Sequence, residues 1–353
     1  MNALSLHLRP FLQLDKARPA VLLAAALLVS IAVAVQCGAV PVVGSDWLSV
    51  FGQADPSTAS AGSYVLWNIR LPRALFAVLV GASMGMAGAL TQGLFRNPLA
   101  DPGLLGVSAG AACAVALTIV VFAGFNWPIP LAWRIWLLPA AAFCGALGVC
   151  FALDGVARWV TPGSIAGLLL TGVALNAMAA AIIGLCTYMA NDEQLRNLSF
   201  WTLGSLAGAN WALVAVLSLL LGVAGWRVRQ LVRAMNALAL GESAAAHVGV
   251  NVGHLRRNVI VLVALLAGFS AAWCGMIGFI GLIAPHLVRT WVGSDQRHVV
   301  PLSMLVGGLL LLLADTVART VAIPAEIPVG IFTALLGSPF FLLLLRNARG
   351  RIG

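Results

Sequence analysis

The chain has 353 residues, of which 61% are apolar and 9% charged, and its mean hydropathy is +1.01. Soluble domains carry roughly 25% charged residues, so this composition leaves no polar surface to enclose an ordinary core, and a soluble enzyme is excluded. The net charge of +9 is what a membrane protein acquires when Arg and Lys collect in its cytoplasmic loops, and it calls for no nucleic-acid partner.

A helix crossing a hydrocarbon layer of roughly 30 Å needs about 20 mostly apolar residues. In chain order, apolar runs predict spans at about 19–38, 64–94, 104–123, 134–153, 165–189, 199–223, 258–275, 277–292, 300–319 and 328–345. The first follows the basic residues Arg9, Lys16 and Arg18 and is read as an uncleaved first helix rather than a signal peptide. The expected fold is an all-α polytopic membrane protein with about ten transmembrane helices and both termini cytoplasmic. It divides into a cytoplasmic segment at 1–18, one membrane domain at 19–346 with a cytoplasmic loop at about 225–257, and a cytoplasmic tail at 347–353.

Charge placement supports the count. Ten spans leave Arg70, Arg73, Arg134, Arg196 and Arg319 outside and put the other basic residues inside, in line with the positive-inside rule. Merging 258–292 into one span would move Arg346, Arg349 and Arg351 outside and weaken that asymmetry. Small-xxx-small patterns such as Gly81-Ala-Ser-Met-Gly85, Gly106-Val-Ser-Ala-Gly110 and Gly204-Ser-Leu-Ala-Gly208 suit close helix packing. Gly- and Pro-interrupted stretches at 97–110 and 275–285 hint at an internal repeat.

The chemistry that is missing narrows the function. Asp154, Asp315 and Glu326 lie near span ends, whereas ion-driven carriers rely on carboxylates or histidines inside the membrane. No hydrolase motif occurs, no catalytic residue is expected, and the sole lysine, Lys16, lacks the GxxxxGK setting of a nucleotide-binding loop. If ATP drives this protein, another chain binds it. The six cysteines (Cys37, Cys113, Cys144, Cys150, Cys186 and Cys274) lie in or beside apolar runs without CxxC spacing, so no metal site is expected.

Three segments stand out. Arg70-Leu-Pro-Arg73 opens the second span: Pro72 suits a first helical turn, and the two arginines face outward water, either as interfacial anchors or as a docking site. The loop at 225–257 carries Leu238-Ala-Leu-Gly-Glu-Ser-Ala-Ala-Ala-His-Val-Gly-Val250, which Gly241 splits into short helical pieces and Gly249 terminates. Its small side chains would let another protein approach, or it lies on the membrane surface. The third segment runs from Gly278 through Pro285 and Arg289 to Asp315, Arg319 and Glu326, with Asp315 and Arg319 spaced for an i,i+4 ion pair.

These stretches together, RLPRALFAVLVGASMGMAGALTQGLFRNPLADPGLLGVSAGA, LALGESAAAHVGV and GFIGLIAPHLVR…ADTVAR…EIPVGIFTALLGSPFF, resemble the permease subunits of type II ABC importers for ferric siderophores, haem and cobalamin. The resemblance implies a homodimer in the bacterial inner membrane. It also implies two cytoplasmic ATPase subunits carrying ATP-Mg, and a periplasmic substrate-binding protein, with membrane lipids around the permease and no cofactor bound by it. Carried over, Arg70, Arg73 and Arg319 would dock the binding protein. Leu240, Gly241, Glu242, Ala244, Ala245, His247 and Gly249 would couple to the ATPase. Ser164, Ile165 and Ala166 would form an inner gate, and Asn176 would face the pathway or make an interhelical bond. The segment Asn191–Arg196 followed by Phe200–Gly208 is similar to the haem-importing branch. Haem is therefore the expected cargo, with ferric siderophore and then cobalamin as alternatives. An ATP-independent carrier is the competing class.

Overall fold

The computed structural model describes residues 18–49, 60–122 and 130–352. The expected cytoplasmic start lies outside them apart from Arg18, as do the side chains of Arg134, Arg346, Arg349 and Arg351. The described residues form thirteen helices. They are α1 (Arg18–Gln36), α2 (Gly44–Leu48), α3 (Ala61–Phe95), α4 (Val107–Val120), α5 (Leu131–Val160), α6 (Ile165–Met189) and α7 (Asp192–Leu203), then α8 (Trp211–Ala239), α9 (Glu242–His247), α10 (Val252–Cys274), α11 (Ile280–Val292), α12 (Gln296–Thr320) and α13 (Val329–Ile352). Seven of them, α1, α3, α5, α6, α8, α10 and α12, are long and apolar enough to cross a membrane. This is an all-helical, multi-pass membrane protein.

Each predicted span overlaps a helix, but the sixth matches no single one, and the helices of the fourth and seventh run several residues past the expected ends. The predicted sixth span, 199–223, straddles a break. Helix α7 stops at Leu203, Gly204 turns with φ +73°, and the Ser205 amide bonds to the Cys274 carbonyl at 2.8 Å. Helix α8 starts after Asn210, whose side chain caps the Leu213 amide. It then runs on to Ala239, so most of the expected loop at 225–257 is helical and only 240–251, around α9, separates α8 from α10. Arg227, Arg229 and Arg233 end the apolar run without ending the helix, because arginine is a good helix former.

The second correction concerns Pro72. The helix begins at Ala61, with Ser60 capping the Ser63 amide, so Pro72 lies well inside it. The preceding turns, Val65–Arg70, are widened to π-helix. A proline inside a helix lacks an amide and crowds the carbonyl of the turn before it, and the wide turn accommodates that loss.

Helix α3 is the centre of the bundle: every residue from Val80 to Phe95 is buried. Glycine makes this possible. A Cβ on Gly81 would fall onto the Gly307 carbonyl of α12, and one on Gly88 onto the Gly281 carbonyl of α11. Backbone therefore rests on backbone, as the small-residue patterns predict. Helices α4 and α11 have 14 and 13 residues, about 20 Å at 1.5 Å per residue, too short to span alone. The two interrupted stretches noted in the sequence meet: the Pro102 ring lies against Gly281. On the outside, α6 and α13 keep large apolar side chains uncovered, among them Leu170, Val173, Leu335 and Leu336.

Candidate functional site

Most of the residues singled out in the sequence gather at opposite ends of the bundle. At one end, α3, α12 and the last turn of α1 converge on three arginines. Arg73 donates from Nε and Nη2 to the Asp315 carboxylate, the closest contact being 2.9 Å, and from Nη1 to Glu326 at 2.8 Å. Arg319 reaches Asp315 from one turn further along α12 at 3.7 Å, the i,i+4 pair read from the sequence. It also donates to the carbonyls of Cys37 and Ala34. Arg70 donates to the carbonyls of Val35, Gln36 and Val40 at 3.1, 3.1 and 2.6 Å.

The expectation that Arg70 and Arg73 face open water is therefore corrected. Both are buried, and the side chain of Arg319 is 9% exposed. The cause is local. The end of α1 leaves carbonyls without intrahelical donors, and its dipole favours a cation there. Asp315, 2% exposed, needs a counter-charge, because an unpaired carboxylate in that position would be prohibitively costly. The exception is Glu326, 46% exposed, which sits at the rim and shares Arg73 with the buried Asp315.

At the other end, α9 is a single short helix held out by two glycines with left-handed φ, Gly241 at +118° and Gly249 at +84°. Leu240 and Val248 flank it, 81% and 71% exposed. Ala244 and His247 are exposed as well, and His247 Nδ1 lies 2.7 Å from the Ser243 carbonyl. Ala245 is fully buried against its own chain and offers nothing to a partner, which corrects the expectation that it forms part of the contact face.

The turn at 163–166 lies beside α9. A cavity of about 680 Å³ is bounded by Arg96, Gly163, Ile165 and Ala166 on one side and by Leu240, Gly241, Glu242 and Ala244 on the other. Arg256 of α10 joins the two walls, with Nη2 3.2 Å from the Gly163 carbonyl and 3.1 Å from Glu242 Oε1. Ser164 is occupied as the N-cap of α6, accepting from the Gly167 amide at 3.0 Å. Asn176, further up α6, donates to the Gly103 carbonyl at 3.3 Å. The acceptor lies in the turn Pro102–Leu105 that leads into α4, so the bond ties α6 to that turn.

Sequence reasoning missed Arg256 as a link and Glu326 as a partner of Arg73. The signal available was modest: a charged residue adjoining an apolar run, and no way to pair it across the chain.

The FecCD transport family matches residues 22–347. The chain is 46% identical over 299 residues to the hemin transport system permease protein HmuU of Yersinia pestis, covering 84% of this chain and 88% of that protein. It is 41% identical over 292 residues to the vitamin B12 import system permease protein BtuC of Yersinia enterocolitica, covering 82% and 84%. A solved inward-facing conformation of a metal-chelate type ABC transporter superimposes with a TM-score of 0.77 at 32% identity, covering 92% of this chain and 97% of that one. Long apolar helices, two half-length helices, and the match along nearly the whole chain agree: this protein belongs to the FecCD transport family and is a transmembrane permease subunit of an ABC importer, with ATP hydrolysis on another chain.

Proposed function

We propose that this permease carries haem from a periplasmic binding protein into the cytoplasm, as a homodimer seated on two ATPase subunits that hydrolyse Mg-ATP. The observation that carries the proposal is the Arg256 bridge between Glu242 on α9 and Gly163 at the entrance to α6. A push on the exposed Leu240–Val248 face reaches the turn at Ile165 and Ala166 through two hydrogen bonds. Helix α6, which that turn leads into, presents uncovered Leu170, Val173 and Met178. Paired across a two-fold axis, such faces form an apolar passage suited to a flat porphyrin.

At the other end, Arg70 and Arg319 hold α1, while Arg73 meets the binding protein by exchanging partners. An incoming carboxylate competes with the half-exposed Glu326, and Asp315 stays in place. Exposed ion pairs contribute only about 0.2–1 kcal/mol each, so docking of this kind sets register and weakens as salt rises.

Haem is favoured by the 46% identity to a hemin permease. A ferric siderophore is the second reading, supported by the likeness to a metal-chelate transporter, and cobalamin the third, supported by the vitamin B12 relative. The test is uptake into proteoliposomes holding the permease, its ATPase and its binding protein, with each cargo offered alone and in competition. ATP-dependent accumulation of haem, read from its visible spectrum, is the expected result. Accumulation of ferric siderophore or cobalamin alone would reassign the cargo.

A further inference from the structure

A second cavity, of about 720 Å³, lies between the later turns of α8 and the first turns of α12, away from the Arg256 bridge. Its walls are apolar along Gly222, Gly225 and Trp226 on α8 and Met304 and Leu305 on α12, while Arg229 and Arg297 stand at one end. Seven residues separate Gly222 from Arg229, about 10 Å along a helix, so the groove has a cationic head and an apolar body. The cationic end is the one that carries the short α9 loop.

Three observations indicate what fills it. First, a Cβ on Gly222 or Gly225 would meet nothing within 4 Å. These glycines serve no helix contact, unlike Gly81 and Gly88, and simply leave the groove open. Second, Arg229 and Arg297 are exposed and form no ion pair among the described residues, whereas Arg73, Arg158, Arg256 and Arg319 each hold a carboxylate. The neighbouring carboxylate, Asp295, accepts from Asn236 Nδ2 at 2.7 Å and the Arg297 amide at 2.9 Å. It lies within electrostatic reach of the Arg297 guanidinium without pairing with it directly, which leaves Arg229 without any carboxylate partner among the described residues. Third, Gln296 lines the cavity at 3% exposure, and its Oε1 has no hydrogen-bond partner. Buried polar atoms are rarely left unsatisfied, and this one is an acceptor beside two cations.

We propose that this groove binds an anionic phospholipid. Its phosphate lies between Arg229 and Arg297, a headgroup hydroxyl donates to Gln296, and one acyl chain runs over Gly222 and Gly225 between Trp226 and Met304. Basic pockets between helices at a membrane's cytoplasmic face are suited to such headgroups.

The test uses the full-length permease in nanodiscs, with spin-labelled phosphatidylglycerol and phosphatidylcholine as probes. Phosphatidylglycerol should be immobilised about tenfold more strongly than phosphatidylcholine. Arg229→Gln with Arg297→Gln should bring that ratio close to one. Arg227→Gln, which alters a neighbouring arginine bonded to Gln230 and Asn258, should leave it unchanged. Gly222→Leu with Gly225→Leu should displace the immobilised lipid while the protein stays monodisperse. Equal immobilisation of the two lipids by the parent, or a preference that survives the Arg229/Arg297 change, overturns the proposal. So does a glycine variant that loses its subunit partner with its lipid count unchanged, because the groove would then be covered by a second copy of the chain.

Discussion

Replacing Arg256 by methionine removes the guanidinium that bonds the turn at Gly163 to α9, while an apolar stem of similar bulk remains in place. A hydrogen bond to a charged group contributes about 1.5–3 kcal/mol and a neutral one about 0.5–1.5. The Glu242 side chain is 30% exposed and recovers water when its partner leaves, so about 1 kcal/mol is reasonable for that contact and about 1 for the Gly163 carbonyl. The bridge then favours the linked arrangement by about 2 kcal/mol, or about 30-fold. Overall stability changes less, because the substitution also removes Arg256 Nε, which is buried without a partner. Arg256→Met should therefore insert, assemble and hydrolyse ATP, yet deliver about tenfold less cargo per ATP in proteoliposomes containing the whole importer. Glu242→Gln should fall between the two. A parental ratio of cargo to ATP in Arg256→Met, with normal expression, would refute the idea that this bridge transmits movement.

Glu326→Gln removes the internal competitor for Arg73, so the binding protein should dock up to about fivefold more tightly, as weakening an exposed pair allows; surface plasmon resonance at two salt concentrations measures this. Asp315→Asn leaves Arg319 and part of Arg73 buried without a counter-charge, and should destabilise the protein by about 3 kcal/mol, seen as a lowered midpoint in a thermal aggregation assay. Gly88→Val drives a side chain into the α11 backbone and should cost about 3 kcal/mol, whereas Gly148→Val, where a Cβ meets nothing within 4 Å, should be neutral in the same assay. Leu240→Glu with Val248→Glu alters two exposed side chains beside α9 and should abolish co-purification of the ATPase without changing the melting midpoint.

The spans were legible because membrane helices are written in the length of their apolar runs, and α6 coincides with its expected 165–189. Helix α9 was legible because glycines at 241 and 249 bracket it. What hydropathy cannot register is where a helix stops inside an apolar stretch: the break at Gly204 depends on a carbonyl of Cys274, seventy residues away. It is equally blind to a helix that continues past the apolar layer, as α8 does. The Asp315–Arg319 pair could be read from its spacing, but the stronger bond from Arg73 crosses 242 positions of sequence. That bond buries Arg73, while the carbonyls at the end of α1 draw in Arg70 and Arg319. Ala245 illustrates a finer limit. In a run of three alanines the sequence does not say which one faces inward, because the three side chains are identical.

The way α1 is held bears on how the chain tolerates change. Arg70 and Arg319 grip it through the carbonyls of Ala34, Val35, Gln36, Cys37 and Val40, and a carbonyl is the same whatever side chain stands behind it. The grip therefore recognises the shape of a helix end rather than its letters. Gly38 is the exception, with φ +148° and a Cβ position that runs into the Arg70 guanidinium. An unrelated apolar helix of equal length, grafted ahead of that glycine, presents the same acceptors. Of the α1 side chains, Leu27, Ala34 and Val35 are buried, so the first span is held by its end and a few buried side chains, whereas α3 is enclosed from Val80 to Phe95.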